Sequence, residues 1–495
     1  MSDYSLAYWR QAAAELTYEG RAWIGAGYTD AENGAVLPSI NPATGDKLTD
    51  IADCGEADVD RAVRHARQAF DGGVWSRSSP ALRRKTLERL AQLMEENSET
   101  LALLETLDMG KPIGDSMAFD IPESIRCLRF YAGAIETATD DVLPTPEDVL
   151  ATVVREPVGV VAAVVPWNFP LMIACWKLAP ALAAGNSVIV KPAEQSSLSV
   201  LKLAELAQRA GLPDGVLQVV TGRGAVAGRA LGLHMAVDCL AFTGSTATGK
   251  HFMRYAADSN LKRVWLECGG KSPHLVFANC RRLEQAAAVA AAAIFINQGE
   301  VCIAGSRLYV EDAIYDRFME QLLLEAGNYL PGDPLDPQTR VGAMVDGAQY
   351  QRVVDGINEA LAAGAHRLTP QPAQAGGLFL NPTILACDNG NIAMRREIFG
   401  PVLGVCRFSG EEEALALAND TDYGLGAGLW TDDLSQAHRV ARRLNSGMVW
   451  VNCYADGAIT MPFGGRKQSG FGRDKSVHAL DKYTDPKSTW IQLAR

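Results

Sequence analysis

The stretch Val158-Gly159-Val160-Val161-Ala162-Ala163-Val164-Val165, followed by Pro166-Trp167-Asn168-Phe169, decides the fold. An apolar run of this kind is typical of a strand buried on both faces, as in a parallel sheet. The next stretch, 171–184, has the length and apolar content of a helix and ends at Gly185-Asn186, a common helix stop. A short strand is predicted at 187–190. This strand–helix–strand order predicts a parallel sheet covered by helices.

The same alternation continues in both directions along the chain. Further helices are predicted at 197–210 and 246–257, and further strands at 216–220, 239–242 and 263–266. A second alternating set begins near His274. Its strands are predicted at 275–277, 307–310, 402–408, 426–430 and 448–451, and its helices at 282–297, 312–326, 411–418 and 434–444. The pattern favours two consecutive α/β domains with helices on both faces of each sheet.

Two segments fit neither alternating set. Residues 140–156 and 482–493 have the Thr, Val and Trp content of strands. Because neither domain offers them a partner, we expect them to pair with another subunit, in a homodimer or homotetramer. The predicted division is 1–139 with 157–268 as the first domain, 269–474 as the second, and 140–156 with 475–495 as a small β oligomerisation hairpin.

Composition restricts the class of protein. The chain has 495 residues, of which 48% are hydrophobic and 21% charged, a normal balance for two or three globular domains. A net charge of −12 argues against a nucleic-acid partner. The polar start lacks a signal peptide pattern, and the apolar stretches are too short to cross a bilayer. Ten scattered cysteines without a CxxC pair indicate reduced thiols in the cytoplasm.

A thiol and a carboxylate stand out as candidates for chemistry. Cys302 follows an alanine-rich helical stretch in a loop flanked by Gly299 and Gly305, residues that let backbone approach a ligand closely. Glu267 ends an apolar strand and precedes Gly-Gly. A thiolate can act as a nucleophile and a carboxylate as a general base. The alternatives are a buried packing cysteine and a structural ion pair.

Polar residues also follow the other predicted strands. Asn168 follows the first strand, where a side-chain amide can donate to a developing oxyanion, although it can equally cap the next helix. Lys191 and Glu194 follow the next strand. The turn Gly244 to Gly249 follows a strand and opens a helix, as suits a pyrophosphate. The run 222–228 is glycine-rich but departs from the GxGxxG spacing, and either glycine string alone is as typical of an ordinary turn.

The chain resembles the aldehyde dehydrogenase superfamily in these motifs, and the resemblance extends from Trp23 to Ile491. Two further motifs share it, Glu397-Ile398-Phe399-Gly400-Pro401 and Pro462-Phe463-Gly464-Gly465. The resemblance implies a Rossmann-like cofactor domain, a catalytic domain and the oligomerisation hairpin. It implies oxidation of an aldehyde to an acid through a covalent thioester. Cys302 is then the nucleophile, and its backbone N–H forms the oxyanion hole with Asn168. Glu267 is the base that activates water.

The resemblance also implies that NAD is the cofactor. Glu194 matches the carboxylate that takes both hydroxyls of the adenosine ribose, where a 2′-phosphate would be repelled, so NAD is expected over NADP. Glu397 matches the residue that grips the nicotinamide ribose, and Phe399 the one that backs the ring. The full set of predicted cofactor contacts is Trp167, Lys191, Glu194, Gly224, Gly228, Phe242, Gly244, Ser245, Thr248, Glu397 and Phe399.

Within the superfamily the chain is most similar to bacterial γ-glutamyl-γ-aminobutyraldehyde and 4-guanidinobutyraldehyde dehydrogenases of polyamine catabolism. The predicted apolar tunnel for the substrate is formed by Phe169, Met172, Trp176 and Phe463. Asp120 and Asp456 are expected near its mouth, where they could attract an amino or guanidino tail, unless both are solvated surface charges.

The sequence departs from those relatives at two points. Ala458 stands where they tend to carry an acid, which weakens the case for a cationic tail. Glu300 replaces a common Gln, and its carboxylate is expected to raise the pKa of the nearby thiol.

Three alternatives remain open at the level of sequence. The first is an aliphatic or semialdehyde dehydrogenase with a different tail specificity. The second is a thioesterase-like hydrolase, which would not need Lys191, Glu194 or the Gly244 turn. The third is a non-catalytic binding protein on the same fold. No set of metal ligands is predicted.

Overall fold

A computed structural model describes residues 4–370 and 372–494. The outermost ends of the predicted domains, residues 1–3 and 495, lie outside the described part, as does Gln371. The strands are β1 (Ala22–Ile24), β2 (Gly27–Thr29), β3 (Val36–Ile40), β4 (Lys47–Ala52), β5 (Asp141–Leu143), β6 (Val149–Pro157), β7 (Val160–Val164), β8 (Ser187–Lys191), β9 (Leu217–Val219), β10 (Cys239–Thr243), β11 (Arg263–Glu267), β12 (Pro273–Val276), β13 (Arg307–Glu311), β14 (His366–Arg367), β15 (Gln374–Gly376), β16 (Phe379–Leu380), β17 (Thr383–Ala386), β18 (Val402–Phe408), β19 (Gly426–Trp430), β20 (Met448–Val451), β21 (Gly470–Phe471) and β22 (Thr484–Gln492).

The helices lie mostly between these strands and at the amino-terminal end. The α-helices are α1 (Leu6–Glu15), α2 (Glu56–Gly72), α3 (Pro80–Glu96), α4 (Ser98–Met109), α5 (Ile113–Asp115), α6 (Ile121–Thr137), α7 (Pro170–Ala184), α8 (Leu198–Arg209), α9 (Arg229–Leu233), α10 (Thr246–Ala257), α11 (Leu283–Phe295), α12 (Tyr315–Ala326), α13 (Gly347–Ala362), α14 (Ile392–Arg395), α15 (Gly410–Asn419) and α16 (Leu434–Arg443). Two π-helical turns, Ser116–Asp120 and Gly224–Gly228, and several 3₁₀ turns interrupt them.

The first sheet has eight strands in the order β2-β1-β9-β8-β7-β10-β11-β21. Its five central strands are parallel to one another, namely β9, β8, β7, β10 and β11. At the two edges, β1, β2 and β21 pair antiparallel. Residues of β7 alternate between two cores: Val161 and Ala163 pack on one face, Val160 and Ala162 on the other. Because both faces are covered, the strand can be apolar throughout, which explains the run that opened the sequence analysis.

The second sheet has seven strands in the order β14-β17-β18-β13-β12-β19-β20, and only its edge strand β14 runs antiparallel. Here too the faces are covered separately, with Val276 in one core and Leu275 in another. Two mixed α/β sheets with helices on both faces confirm the predicted fold class. One boundary differs from the prediction, because β21, placed in the second domain at 269–474, extends the first sheet beside β11.

The two segments that fit neither domain pair with each other. β22 runs antiparallel to β6 from Thr484 to Gln492, and β5 adds a third strand. As predicted, among the described residues neither segment finds a partner in the two large sheets; within the chain each is the partner of the other. The resulting sheet still exposes large apolar side chains, with Val142 71% and Trp490 67% exposed.

Several elements were not predicted from the sequence. None was proposed within 1–139, where the structure has α1 to α6 and two short strand pairs, and none for α13 or β17. Within the described residues, no helix combines the length and the apolar character that crossing a bilayer requires. All ten cysteines are free thiols.

Candidate active site

The predicted site residues gather at one edge of the first sheet. Strands β7, β8, β10 and β11 are parallel neighbours, so their carboxyl ends meet at this edge. Trp167 and Asn168 follow β7, Lys191 ends β8, Gly244 follows β10, and Glu267 ends β11. In open α/β sheets this is where ligands bind.

A cavity of about 450 Å³ opens at this edge, between the two sheets. Cys302, from the second domain, lies in its wall beside residues of the first. The predicted site residues that line the cavity are Trp167, Asn168, Gly244, Ser245, Cys302, Glu397 and Phe399. The structure thus brings the nucleophile candidate and five of the eleven predicted cofactor contacts to one cavity.

The loop that carries Cys302 has an unusual backbone. Helix α11 ends at Phe295, earlier than predicted, and Asn297, Gln298 and Gly299 then take φ of 49°, 57° and 73°. Left-handed residues other than glycine are strained and cluster at functional sites. At Gly299 a side chain is excluded as well, because a Cβ there would lie 2.2 Å from the Gly400 carbonyl oxygen. The Cys302 loop therefore rests directly on the loop of Phe399 and Gly400.

The Cys302 thiol lies in a strongly desolvated environment. Burial raises its pKa well above the ordinary value, and the carboxyl groups of Glu267 and Glu397 raise it further. That Glu300 raises the pKa of the thiol stays a prediction. The Glu300 side chain accepts a hydrogen bond from the Val345 N–H at 3.3 Å, and burial strongly raises the pKa of Glu300 itself. In this state the thiol is protonated at neutral pH, so attack on a carbonyl requires removal of its proton.

Asn168 is buried and directed at the Cys302 loop. Its Nδ2 donates a hydrogen bond to the Glu300 carbonyl at 2.8 Å, and Asn297 Nδ2 in turn donates to the Asn168 carbonyl at 3.2 Å. An amide nitrogen carries two hydrogens. One Nδ2 hydrogen of Asn168 is bonded to the Glu300 carbonyl, so the direction of the second Nδ2 hydrogen is fixed. Asn168 lines the cavity, so this second hydrogen lies beside it.

Glu267 is 5% exposed, and its Oε1 has no hydrogen-bond partner. Burial raises its pKa to about 8, Asp474 raises it as well, and Lys177 and Lys482 oppose the rise. Asp474 forms ion pairs with both of these lysines. A buried carboxyl group with a pKa near working pH and a free oxygen has the properties of a general base.

The residues after β8 form an ion pair at the edge of the site. Lys191 Nζ lies 3.2 Å from Glu194 Oε2, and the Glu194 side chain is 38% exposed, so its carboxylate can still meet a ligand. Within the run 222–228, Gly224–Gly228 form a π-helical turn, and a Cβ on Gly224 would lie 4.0 Å from Lys191 Nζ. Gly228 instead faces the Phe252 ring in the core.

The start of α10 is capped from within. Ser245 Oγ accepts a hydrogen bond from the Thr248 N–H at 3.2 Å and lies 2.9 Å from the Thr248 hydroxyl. Gly244 precedes this cap, and a Cβ there would lie 2.6 Å from the Phe242 ring. Phe242 is thus buried behind the turn and shapes it, whereas Gly244 and Ser245 face the cavity.

Glu397 and Phe399 approach the site from the second domain. Glu397 Oε1 accepts a hydrogen bond from the Gly270 N–H at 2.9 Å, and burial raises the Glu397 pKa to about 7. The Phe399 ring meets Trp167 edge-on, with ring centroids 5.4 Å apart. The two domains therefore touch on both sides of the cavity.

Helix α13 contributes residues that were missed. Gln349 and Arg352 line the cavity, Gln349 Nε2 donates to the Phe399 carbonyl at 2.7 Å, and Arg352 donates to Gln349 Oε1 at 3.0 Å. The apolar spacing of Val353, Ile357 and Ala360, all buried, was the sequence signal that could have revealed this helix.

An apolar wall continues from Cys302. Met172 is buried on α7, Trp176 packs against Phe463 with centroids 4.9 Å apart, and Phe169 and Cys302 pack against the same core. The four predicted tunnel residues thus belong to the core against which Cys302 packs, but none of them lines the cavity.

The two aspartates predicted at the tunnel mouth differ from each other. Asp456 is exposed, and its Oδ1 accepts a hydrogen bond from the Gly457 N–H at 3.0 Å. Asp120 is only 1% exposed and is ion-paired with buried Lys111. The expectation of a charge available at the mouth is therefore wrong for Asp120, since its carboxylate is already compensated inside the protein.

Comparisons with known proteins agree with this geometry. Residues 28–489 match the aldehyde dehydrogenase family. The chain is 53% identical over 494 residues, all of both chains, to the NADP/NAD-dependent aldehyde dehydrogenase PuuC of Escherichia coli.

Two solved structures are also very similar. An indole-3-acetaldehyde dehydrogenase in complex with NAD⁺ matches with a TM-score of 0.98 and 53% identity, covering 99% of this chain and 100% of that one. A γ-glutamyl-γ-aminobutyraldehyde dehydrogenase from Burkholderia cenocepacia matches with a TM-score of 0.97 and 51% identity over the same shares. With its site geometry and these matches over nearly its whole length, the chain belongs to the aldehyde dehydrogenase family.

Proposed function

We propose that this enzyme oxidises an aldehyde to a carboxylic acid with NAD, through a covalent intermediate on Cys302, and that its substrates carry an ω-amino, γ-glutamylamino or guanidino tail. One observation carries the chemistry: a thiol and a fixed amide N–H line one cavity at the carboxyl edge of the first sheet, where Glu267 ends β11 with an unpaired buried oxygen and raises the pKa of the thiol. These are the groups that acyl transfer through a thioester requires.

The first half of the cycle uses Cys302 and Asn168. The Cys302 thiol gives its proton to solvent water, the sulfur forms a bond to the aldehyde carbon, and the carbonyl oxygen gains negative charge. The second N–H of Asn168 and the Cys302 backbone N–H stabilise that charge. NAD, when bound, supplies the acceptor for the hydride that leaves this carbon, which leaves a thioester.

The second half uses Glu267. Its carboxylate takes a proton from water, the water oxygen attacks the thioester carbon, and the carbon–sulfur bond breaks. The leaving sulfur takes the proton back from Glu267, so the products are the carboxylic acid and the free Cys302 thiol. The free Glu267 Oε1 supports this role, because a water molecule there meets an acceptor that no protein donor occupies.

The residues present fit NAD. Gly244 keeps backbone close to the Phe242 ring and open to the cavity, Ser245 begins α10 beside it, and Lys191 and Glu194 lie at the next strand end. These groups would hold the pyrophosphate and the adenosine ribose. Glu397 and Phe399 would hold the nicotinamide end.

The charge of Glu194 should favour NAD over NADP. We expect the ratio of kcat/KM for NAD to that for NADP to exceed one, and to fall in Glu194→Gln, because the carboxylate would repel a 2′-phosphate. Glu205→Gln, which removes a carboxylate paired with Lys202 on α8, is the matched control. Equal kcat/KM for both cofactors in the wild-type enzyme would refute the role of Glu194.

A polar or cationic tail is supported by the named relatives and by exposed Asp456, whose backbone carbonyl accepts a hydrogen bond from Trp450 Nε1 at 2.7 Å. The test compares kcat/KM for 4-guanidinobutyraldehyde, γ-glutamyl-γ-aminobutyraldehyde and a neutral aliphatic aldehyde of similar length. We expect the tailed aldehydes to be preferred and Asp456→Asn to weaken that preference. If the neutral aldehyde is as good and Asp456→Asn changes nothing, the tail assignment fails.

A second substrate class is favoured by the aromatic part of the wall. Trp176 and Phe463 pack together, Trp450 and Tyr454 lie next to the same core, and Ala458 supplies no charge. Such a surface suits a flat ring, and one similar structure is named an indole-3-acetaldehyde dehydrogenase. Including indole-3-acetaldehyde in the panel separates the two classes by kcat/KM. NADH formation with any aldehyde excludes a non-redox thioesterase and a binding protein.

We also infer that the enzyme works in the cytoplasm as a homodimer or a dimer of dimers. Ten free thiols suit a reducing compartment. The three-stranded sheet exposes Trp490 and Leu143 on one face and Val142 and Ile491 on the other, beside unpaired strand edges, a combination typical of subunit contacts.

A further inference from the structure

A buried lysine lies directly behind the predicted oxyanion residue. Lys111 follows α4 and is fully buried, with its Nζ ion-paired to Asp120 at the end of a π-helical turn. The same ammonium lies 4.3 Å from the centroid of the Phe169 ring. Phe169 is the neighbour of Asn168 and precedes the first residue of α7.

We propose that Lys111 is a positioning residue for the reaction: paired with Asp120 and seated against Phe169, it fixes the turn that carries Asn168. A desolvated cation over an aromatic ring attracts the ring and opposes its rotation. Because Phe169 and Asn168 share a peptide, holding the ring restricts where the Asn168 amide can point. The inference rests on the proposed role of Asn168 as an oxyanion donor.

The start of α7 is held from the same side. Glu105 Oε1 accepts a hydrogen bond from the Leu171 N–H at 2.7 Å, one of the helix N-terminal donors that has no partner within the helix. Glu105 is completely buried, and its second oxygen has no partner. The turn from Asn168 to Leu171 is thus braced at the Phe169 ring and again at the Leu171 amide.

The Lys111 charge lowers the pKa of four carboxyl groups around this turn, of which Glu105, Asp120 and Glu300 are buried and Asp115 is half-buried. Burial raises the pKa of Glu105 to about 7, of Asp115 to about 6, and those of Asp120 and Glu300 as well, and the Lys111 charge opposes each rise. The Glu300 carbonyl is the acceptor for Asn168 Nδ2. The Lys111 charge therefore influences carboxyl groups in the Cys302 loop, which accepts the Asn168 hydrogen bond, and in the segment 105–120, which binds the start of α7 through Glu105.

This assignment differs in its consequences from a tail-binding role for Asp120. A carboxylate that attracts a cationic tail affects KM for cationic aldehydes alone. A pair that positions Asn168 affects the acylation step for every aldehyde, because the oxyanion is common to all of them. Comparing a cationic with a neutral aldehyde therefore separates the two roles.

The test measures the pre-steady-state NADH burst with 4-guanidinobutyraldehyde and with a neutral aldehyde of similar length. In Lys111→Met we expect the burst rate constant to fall about 10- to 100-fold with both aldehydes, as small misplacements of reacting groups do. A purely structural loss would lower the burst amplitude, which counts active sites, and leave the rate constant unchanged.

Two further variants keep the test decisive. Lys111→Met leaves an uncompensated buried carboxylate and can fail to fold, whereas Lys111→Met with Asp120→Asn removes both charges and should recover thermal stability. The double variant should still show a reduced burst rate constant, because it lacks the ammonium group that contacts the Phe169 ring. Lys262→Met is the control, since Lys262 is also buried but donates to the Gly232 carbonyl and Ser259.

The outcomes are distinct. A folded double variant with the wild-type burst rate constant would overturn the proposal, as would a loss confined to the cationic aldehyde. A slow burst with both aldehydes, together with a normal Lys262→Met, would support it. If the wild-type enzyme itself forms no NADH, the proposed function fails instead.

Discussion

Glu267 shows how burial alone gives a residue its chemistry. The carboxyl group sits at the end of β11 with one oxygen unpaired, and the protein raises its pKa to about 8. We expect Glu267→Gln to retain a stoichiometric NADH burst but to lose steady-state turnover about 10²- to 10⁴-fold, the usual cost of removing a general base. Rapid mixing measures both. Loss of the burst together with turnover would place Glu267 in acylation instead.

The same pKa predicts the pH dependence of deacylation. A base works only when deprotonated, so steady-state kcat should rise with pH through about 8. Below that pH the group holds its proton and cannot activate water. The pH profile of kcat in the wild-type enzyme measures this, with Glu267→Gln as the control that should lack the step. A kcat already at its maximum near pH 6 would contradict the assignment.

Single residues were predictable where their position on the sheet decided their role. Lys191 and Glu267 end parallel strands and Asn168 follows one, and the topology of a doubly wound sheet brings such ends together. Asp120 was placed wrongly because its partner Lys111 and its burial depend on how α4 and the π-helical turn pack. The residues around Asp120 in the sequence contain no pattern that predicts burial of its carboxylate.

At the scale of single elements, the left-handed turn before Cys302 is the one that positions the proposed nucleophile. We expect Gly299→Ala to reduce activity severely while the fold survives, because a Cβ there would strike the Gly400 carbonyl at 2.2 Å and the φ of 73° disfavours alanine. Activity and circular dichroism measure the two effects. Gly347→Ala, at the open start of α13, is the control and should be neutral. A fully active Gly299→Ala would contradict the proposed packing.

Elements were predictable in proportion to how local their causes are. Helix α7 follows from its apolar composition and from Gly185, which ends it at φ 99°. The predicted helix 282–297 instead stops at Phe295, because the following turn is set by contact with Gly400, which is distant in sequence. A tertiary contact of this kind overrides the helical pattern and leaves no local signature.

At the scale of the whole molecule, the third sheet is formed by the two ends of the predicted oligomerisation region. Deleting residues 484–495 removes β22 and exposes the full edge of β6. We expect the truncated protein to be monomeric or insoluble, because it loses the exposed apolar side chains Trp490 and Ile491 and leaves the edge of β6 unpaired. Light scattering on both proteins measures this. A wild-type monomer at micromolar concentration would contradict the predicted assembly.

The central claim is the covalent intermediate on Cys302, and mass spectrometry tests it most directly. Glu267→Gln enzyme is mixed with NAD and 4-guanidinobutyraldehyde, quenched in acid and digested. The account predicts that the protein gains the mass of one acyl group, that the gain maps to the peptide of Cys302, and that Cys302→Ala binds NAD but shows neither adduct nor NADH. An adduct on another cysteine, or turnover by Cys302→Ala, would contradict it.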